Sequence, residues 1–402
     1  MDGMCLKVIF QKTSFIGELK IFCRKHKEKE YTSMGSRPVV LIVCTGLGKI
    51  NRGYETFTRE CFDTLKEADT LDIYLLKGAG KKEEHEIVAP NLHRRSKVAQ
   101  WLGKLIRQDG YYVEQLTFCI SLLPVIVAKK PSVIYYSDFI LGTFLWKLRR
   151  FFKFKYKLLF ANGAPNGPPF TRMDHVQQLL PVHFEVGIKG GTPASMQTLL
   201  PYGFRFRRFA PEANNNNKAA IRKRLGLPEN KKIIISVGAL NMRQKRMDYI
   251  VNEMVALQEE YFLIMLGQAD TETPVLLQIA EQKLKTNYKA LTVSPDELQY
   301  YYQAADYFVL ASLHEGFGRV FPEAMSCGLP CFVHDYRVAR EVLGPYGQYF
   351  QANNPGALIE ALQTFDHRND FSVDRMIEYT HHNYSWQSLA PAYIAMIKNV
   401  AE

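Results

Sequence analysis

Two glutamates eight residues apart, Glu315 and Glu323, lie in the segment richest in chemistry, Ala311 to Pro330, which reads A-S-L-H-E-G-F-G-R-V-F-P-E-A-M-S-C-G-L-P. An apolar strand leads into a loop holding Gly316 and Gly318, and a helix over Arg319 to Cys327 stops at Gly328 with Pro330 just beyond. Glycine after a helix and proline shortly afterwards are stop signals. The loop glycines let backbone N–H groups approach a ligand closely, and a helix start attracts an anion such as phosphate. A carboxylate beside those donors accepts hydrogen bonds from sugar hydroxyls without meeting the phosphates head-on. Two unrelated glutamates, one in a solvated loop and one on a helix surface, are commoner in proteins at large. Here the spacing, the glycines and the strand–loop–helix context agree on a site.

The elements that must hold this segment follow from apolar periodicity. Val39 to Cys44 (V-V-L-I-V-C) is the unbroken run expected of a parallel strand covered on both faces. It enters T-G-L-G-K-I-N-R-G, after which Tyr54, Phe57, Cys61, Phe62 and Leu65 fall at helical spacing. Strand, glycine loop and helix in that order open a doubly wound sheet. Further strands are expected at Leu71 to Leu76, Val133 to Tyr136 and Leu158 to Ala161. Leu199 to Phe209 (L-L-P-Y-G-F-R-F-R-R-F) breaks the pattern, and the polar tract Asn214 to Asn217 reads as a surface linker. A second series follows, with strands Ile233 to Val237, Tyr261 to Leu266, Tyr307 to Ala311 and Cys331 to His334. Helices Met247 to Leu257, Pro295 to Ala305 and Arg319 to Cys327 alternate with them. This is an α/β chain of two domains joined near residue 205, with residues 1–36 as an N-terminal appendage. Two such lobes leave a cleft at the carboxyl ends of their strands, where ligands bind in open α/β sheets.

Composition narrows the function. The 402 residues are 47% hydrophobic and 12% aromatic, which excludes a disordered or collagenous chain. Seven cysteines without a Cys-x-x-Cys pair read as reduced thiols of a cytosolic compartment. The longest apolar stretch, Leu116 to Ala128, is thirteen residues and reads as a buried element, since a bilayer span needs about twenty. The N-terminus is interrupted by charge and does not read as a signal peptide. The net charge of +11 is uneven: 30 Lys and Arg face 18 Asp and Glu in residues 1–200, against 21 and 22 in residues 201–402. One half is therefore expected to face something anionic. Leu145 to Lys157 (L-W-K-L-R-R-F-F-K-F-K-Y-K) has six cations, five aromatics and no acid. It fits anionic lipid headgroups, single-stranded nucleic acid, or a helix with its apolar face on the sheet and its lysines in water. Taken with the charge bias, an anionic membrane surface contacted through residues 145–157, or an anionic acceptor, is the expectation, and nucleic acid is set aside because the second half is near neutral. No Asp-x-Asp, His/Cys metal spacing, Walker loop or G-x-S-x-G is present, and no metal is expected.

At these residues the chain resembles the retaining GT-B glycosyltransferases, in particular glycosyltransferase family 4, whose E-x7-E motif E-G-F-G-x-x-x-x-E-A-M-A-x-G-x-P is met here by E-G-F-G-R-V-F-P-E-A-M-S-C-G-L-P. P-Y-G-F-R-F-R-R-F, I-R-K-R-L-G-L-P-E-N-K-K-I-I-I-S-V-G-A-L, Y-Y-Q-A-A-D-Y-F-V-L-A-S and Y-S-W-Q-S-L-A extend the resemblance from about residue 199 to the end. The resemblance implies two Rossmann-like domains facing a central cleft: residues 37–204 for the acceptor, 205–384 for the nucleotide-sugar donor, and a helix over 385–402 returning to the first domain. It implies transfer of a sugar from a nucleotide diphosphate donor with retention, UDP-sugars favoured and GDP-sugars next, the nucleotide sugar being substrate and no cofactor being needed. The acceptor would be a glycan, a lipid-linked sugar or a small molecule, and the protein would be cytoplasmic, at most peripheral on the inner face of a membrane. Glu315 would contact the donor sugar and Glu323 the ribose, with backbone around Gly316, Phe317, Gly318 and Arg319, together with Gly238 and Gly267, lining the donor. Attack would come from the leaving-group face, so that a diphosphate oxygen helps deprotonate the acceptor.

The family neutralises the leaving diphosphate with an Arg directly after V-G and a Lys six residues on. Here the Lys is Lys245, but Ala239 holds the Arg position and Arg243 is the substitute. Gly46, Gly48, Arg52 and Gly53 would close over the diphosphate or bring up the acceptor. Asn162 stands where family members often carry a site histidine, and His175, read as helical, is a candidate replacement. The rival readings are an epimerase or phosphorylase on the same architecture and a degenerate, non-catalytic sugar-nucleotide binder.

Overall fold

The computed structural model describes residues 37–50, 53–206, 217–365 and 372–402. The N-terminal appendage, Arg52 and most of the Asn214 to Asn217 tract lie outside the described residues. Residues Pro38 to Glu402 form one compact unit built on two sheets.

The first sheet has seven parallel strands: β1 (Val39–Cys44), β2 (Asp72–Lys77), β3 (Glu86–Val88), β4 (Val133–Tyr136), β5 (Lys157–Ala161), β6 (His175–Gln178) and β7 (Gln197–Leu199). Their spatial order is β3-β2-β1-β4-β5-β6-β7, so the direction of winding reverses between β1 and β4. Five helices accompany them: α1 (Gly53–Glu67), α2 (Lys97–Leu105), α3 (Gly110–Lys129), α4 (Phe139–Phe152) and α5 (Pro181–Lys189). Strand alternation sends Val40 and Ile42 into one core with Phe57, Cys61 and Leu65 of α1, and Leu41 and Val43 into another with Phe118 and Leu122 of α3 and Leu145 of α4. Both faces are thus covered, which is why β1 is apolar throughout.

The second sheet has order β10-β9-β8-β11-β12-β13, also parallel, with its reversal between β8 and β11. Its strands are β8 (Lys232–Val237), β9 (Tyr261–Leu266), β10 (Tyr288–Leu291), β11 (Tyr307–Leu310), β12 (Cys331–His334) and β13 (Gly347–Phe350). Around it run α6 (Asn217–Leu225), α7 (Met247–Met254), α8 (Thr273–Leu284), α9 (Pro295–Ala304), α10 (Val320–Ser326), α11 (Arg337–Leu343), α12 (Ala357–Thr364) and α13 (Val373–Tyr384). The last helix, α14 (Trp386–Ala401), packs on α1 and on β4 and β5 of the first sheet. It is tied there by Gln177 Nε2, which donates to the Tyr393 hydroxyl, and by that hydroxyl, which donates to the Pro201 carbonyl, each at 2.8 Å.

A run of stacked and edge-on rings joins the two sheets. Phe57 stacks on Tyr202 at 3.8 Å between centroids, Tyr202 meets Phe317 edge-on at 5.9 Å, and Phe317 meets Tyr384 at 5.7 Å. This aromatic seam belongs to a core that runs through both lobes, and it seats the 315–319 loop against the first lobe.

One reading of the sequence is extended by the structure and one is corrected. The apolar stretch at Leu116 is part of the 20-residue α3, long and apolar enough by length and composition to cross a membrane, yet it buries Phe118, Leu122 and Ile126 in the fold while leaving Ile120 and Val127 exposed. His175 opens strand β6 and is not helical. The short strands β3, β6, β7, β10 and β13 carry mixed or half-buried residues, so alternation over three or four positions left little signal.

Candidate active site

Lys245 and Glu315 come together at the winding reversal of the second sheet, where the loops after β8 and β11 meet. Lys245 Nζ donates to Glu315 Oε1, and each side chain keeps only 12% of its surface exposed. Local chemistry sets this geometry. Asn241 Oδ1 accepts from the backbone N–H of Lys245 at 2.9 Å and of Gln244 at 3.4 Å, closing an Asx-type turn. Glu272 Oε2 accepts from the backbone N–H groups of Met242 and Arg243 at 2.8 and 2.9 Å, fixing the other side of the loop. A Cβ on Gly238 would sit 3.0 Å from the Lys245 stem, so the missing side chain leaves the methylenes a bed to lie on. A Cβ on Gly267 would sit 1.6 Å from the Gly238 carbonyl, which explains glycine at the end of β9. The β11 loop is stitched to the β8 loop by Leu313 N–H to the Gln244 carbonyl at 2.9 Å and by Gln244 Nε2 to the His314 carbonyl at 3.1 Å.

The other end of the motif is different. Glu323 is buried in α10, accepting from the Tyr302 hydroxyl at 3.3 Å and lying 3.8 Å from Arg319 Nε. Arg319 spans to the first lobe: its Nη2 donates to Glu60 Oε2 at 3.0 Å and its Nη1 to the Gly203 carbonyl at 2.8 Å. Trp386 Nε1 donates to the same Glu60 oxygen at 3.2 Å. Burial works against the Arg319 charge, but Glu60 and Glu323 outweigh it and hold its pKa above the usual arginine value.

The lobes close on each other at glycines. A Cβ on Gly316 would lie 2.1 Å from the Gly163 carbonyl of the first lobe, and one on Gly53 would meet the Arg319 stem at 3.5 Å. Gly318, at φ +76°, would drive a Cβ to 2.5 Å from the Phe321 ring. In the loop after β1, Gly48 has φ +86° and a Cβ on Gly46 would lie 2.3 Å from Glu55 Oε1. Glu55 is buried in the first turn of α1, so that helix start already faces a carboxylate and disfavours a second anion.

Three expected residues stand apart from the Lys245–Glu315 pair. Arg243 is 89% exposed, its guanidinium 3.5 Å from Glu272 and turned to solvent. His175 lies at the amino end of β6, the sheet edge opposite the cleft, and pairs through Nε2 with Thr198 Oγ1 at 2.8 Å. The Asn162 carboxamide is consumed by its own turn: Oδ1 accepts from Asn166 N–H at 2.8 Å and Nδ2 donates to Gln178 Oε1 at 3.0 Å and the Asn166 carbonyl at 3.3 Å. Sequence reasoning missed Asn241, Gln244, Glu60 and Tyr336. The Tyr336 hydroxyl is buried without a hydrogen-bond partner, and burial together with the Glu315 charge raises its pKa. An Asn four residues before Lys245 was a legible turn signal; the Glu60 contact, 259 residues from Arg319, had none.

Residues 217–382 match the family model of glycosyl transferases group 1. The chain is 24% identical over 200 residues to alpha-monoglucosyldiacylglycerol synthase of Streptococcus pneumoniae, covering 46% of this chain and 44% of that protein. It is 28% identical over 171 residues to the putative teichuronic acid biosynthesis glycosyltransferase TuaC of Bacillus subtilis, covering 42% and 41%. The chain thus spans less than half the length of these curated relatives. Whole-chain similarity comes from folds: sucrose-phosphate synthase of Thermosynechococcus elongatus superposes with a TM-score of 0.74 at 17% identity, over 90% of this chain and 99% of that one. HepE of Anabaena, solved with UDP and glucose, superposes at 0.70 and 15% identity, over 90% and 100%. The chain has the GT-B fold, and its second lobe resembles the glycosyl transferases of group 1. In this GT-B chain the matched family segment holds both motif glutamates and Lys245, while their lobe-closing partners, Gly163, Gly203 and Glu60, come from the half outside that match.

Proposed function

We propose that the protein is a glycosyltransferase moving a sugar from a nucleotide diphosphate donor to a glycan or lipid-linked acceptor, with retention and without a metal. The observation that carries this reading is the Lys245–Glu315 pair at the winding reversal of the second sheet, facing the first lobe across Gly316 and Gly163. Without donor, each side chain neutralises the other. With donor, the ammonium would turn to the diphosphate oxygen that gains charge as the glycosidic bond breaks, and the carboxylate would accept from sugar hydroxyls. Glu323, fixed by Tyr302 and Arg319, would hold the ribose end. The first-lobe loop carrying Gly46 and Gly48 would bring the acceptor to the face the diphosphate leaves, so that catalysis is mainly positioning and charge stabilisation.

A panel of UDP-, GDP- and ADP-sugars tests the reading by thermal shift and by donor hydrolysis, because a ligand that binds only the folded state raises its melting temperature. A shift with at least one donor, together with hydrolysis that Glu315→Ala and Lys245→Ala abolish, is expected. No shift with any nucleotide sugar rejects it. A second reading, a binder without turnover, is favoured by Ala239 and by the consumed Asn162 carboxamide; a thermal shift without hydrolysis in the presence or absence of acceptor selects it.

A further inference from the structure

Helix α2 packs the wrong way round for a soluble surface. Its buried positions are only Ala99 and Gly103, while Val98, Trp101 and Leu105 fall on one outward stripe at helical spacing. Trp101 is 64% and Leu105 69% exposed. The helix is well made, with Ser96 Oγ accepting from Ala99 N–H at 3.1 Å, so the outward stripe is part of an ordered element. Gly103 lets the following turn fold tightly beneath it, a Cβ there lying 2.7 Å from the Gln108 carbonyl.

The same layer continues outward along the sheet. Helix α3 packs against both α2 and α4, exposing Ile120 and Val127, and α4 ends with Phe151 81% exposed. Residues 94–157, which hold these three helices, carry thirteen Lys and Arg against three Asp and Glu, an excess of ten within a chain whose total is +11. All three acids are engaged by their own helices or by Arg94, and only Asp109 is exposed. Asp109 caps α3, Asp138 caps α4, and Glu114 is buried against Arg94 Nε at 2.6 Å. What faces water is mainly aliphatic and aromatic side chains among exposed cations such as Lys97, Lys104, Arg107 and Lys130, with Asp109 the one exposed acid of residues 94–157.

We infer that the outer face of α2, α3 and α4 docks on an anionic lipid bilayer, with Trp101 and Leu105 entering the interface and the lysines and arginines resting on headgroup phosphates. Two forces act together there: apolar area leaves water, and each cation near the surface gains electrostatic attraction. Valine, leucine and isoleucine at the centre of the patch favour hydrocarbon over nucleic acid, where planar rings stack on bases. Clustered cations around that centre disfavour a protein partner, whose interfaces exclude lysine from the core. Expectation from the sequence placed the contact at residues 145–157; the fold makes α2 its apolar centre. The inference stands independently of the catalytic reading.

The test uses the full chain with vesicles of phosphatidylcholine alone or mixed with phosphatidylglycerol, read by co-sedimentation. Binding is expected only with phosphatidylglycerol, weakened by salt, and accompanied by a blue shift of tryptophan emission that Trp101→Phe removes. Lys97→Glu/Lys104→Glu/Arg107→Glu and Trp101→Ser/Leu105→Ser should each weaken binding at least about tenfold, with melting temperature unchanged. Equal binding to neutral and anionic vesicles, unchanged binding by both variants, or preference for a single-stranded oligonucleotide over vesicles overturns the inference.

Discussion

The two glutamates of one short motif have opposite fates. Glu315 faces Lys245 in a pair that keeps contact with the cleft, held by two loops of the same lobe. Glu323 lies behind it, buried with Arg319, whose guanidinium reaches Glu60 and the Gly203 carbonyl of the other lobe. Eight residues separate a charge pair that a ligand can exchange into from a charge network that closes the molecule. A pair held by two loops of one lobe can be re-partnered by a ligand that supplies the opposite charge and hydrogen bonds. A buried network is expensive to assemble and more expensive to break, because each removed partner leaves a charge in a dry interior.

The largest expected effect breaks the buried side of this comparison. Arg319→Met leaves Glu60 and Glu323 uncompensated and should lower unfolding free energy by about 3–5 kcal/mol, seen as a shifted urea midpoint. A midpoint within error of the parent would mean the network is solvated in solution. The cleft pair should respond in the other currency. Lys245→Met should reduce turnover by roughly 10²–10³-fold while melting changes little, and adding Glu315→Gln should lower turnover by much less than the product of the single effects. Multiplicative losses would show that the two side chains act separately.

A second lobe contact sharpens the contrast through pH. Helix α5 meets α11, where Glu341 Oε2 accepts from Val182 N–H at 3.1 Å and Arg337 Nη2 donates to Glu185 at 2.7 Å. His183 is buried there, and desolvation with the Arg337 charge pushes it down to about 4. The folded state holds it neutral, so the unfolded chain takes up the proton first as pH falls. The stability is complete above about 6.5 and is lost between there and about 4, by about 2–3 kcal/mol. His183→Gln should flatten this part of the stability–pH curve; an unchanged slope would assign it to other groups. The smallest effect is expected at the exposed Arg243, where Arg243→Ala should leave both stability and turnover within about 0.5 kcal/mol. A large loss of turnover would instead bring this side chain into the donor site when ligand is bound.

Much of this architecture is legible in the sequence. Strands β1, β4, β9 and β12 coincide with the expected apolar runs because a strand buried on both faces has no polar positions to blur it. The helix after Glu315 and its stop at Gly328 were equally clear, Gly328 having φ +76° as the end of a helix requires. His175 and Arg243 stand away from the Lys245–Glu315 pair for opposite reasons. A histidine's type says nothing about which end of a strand it occupies, and an arginine two residues from Lys245 points elsewhere once Glu272 pins its backbone.

The sequence by itself determined the periodicities, the glycine positions and the chemical types at Glu315, Glu323 and Lys245, because these depend on local sterics and on which side chains can bear charge. Only the tertiary structure decided which glutamate stays in the cleft, that Arg319 binds Glu60 across 259 residues, and that α2 turns Trp101 outward. Burial and pairing are properties of what the rest of the chain brings alongside a residue, and no spacing within a segment encodes them.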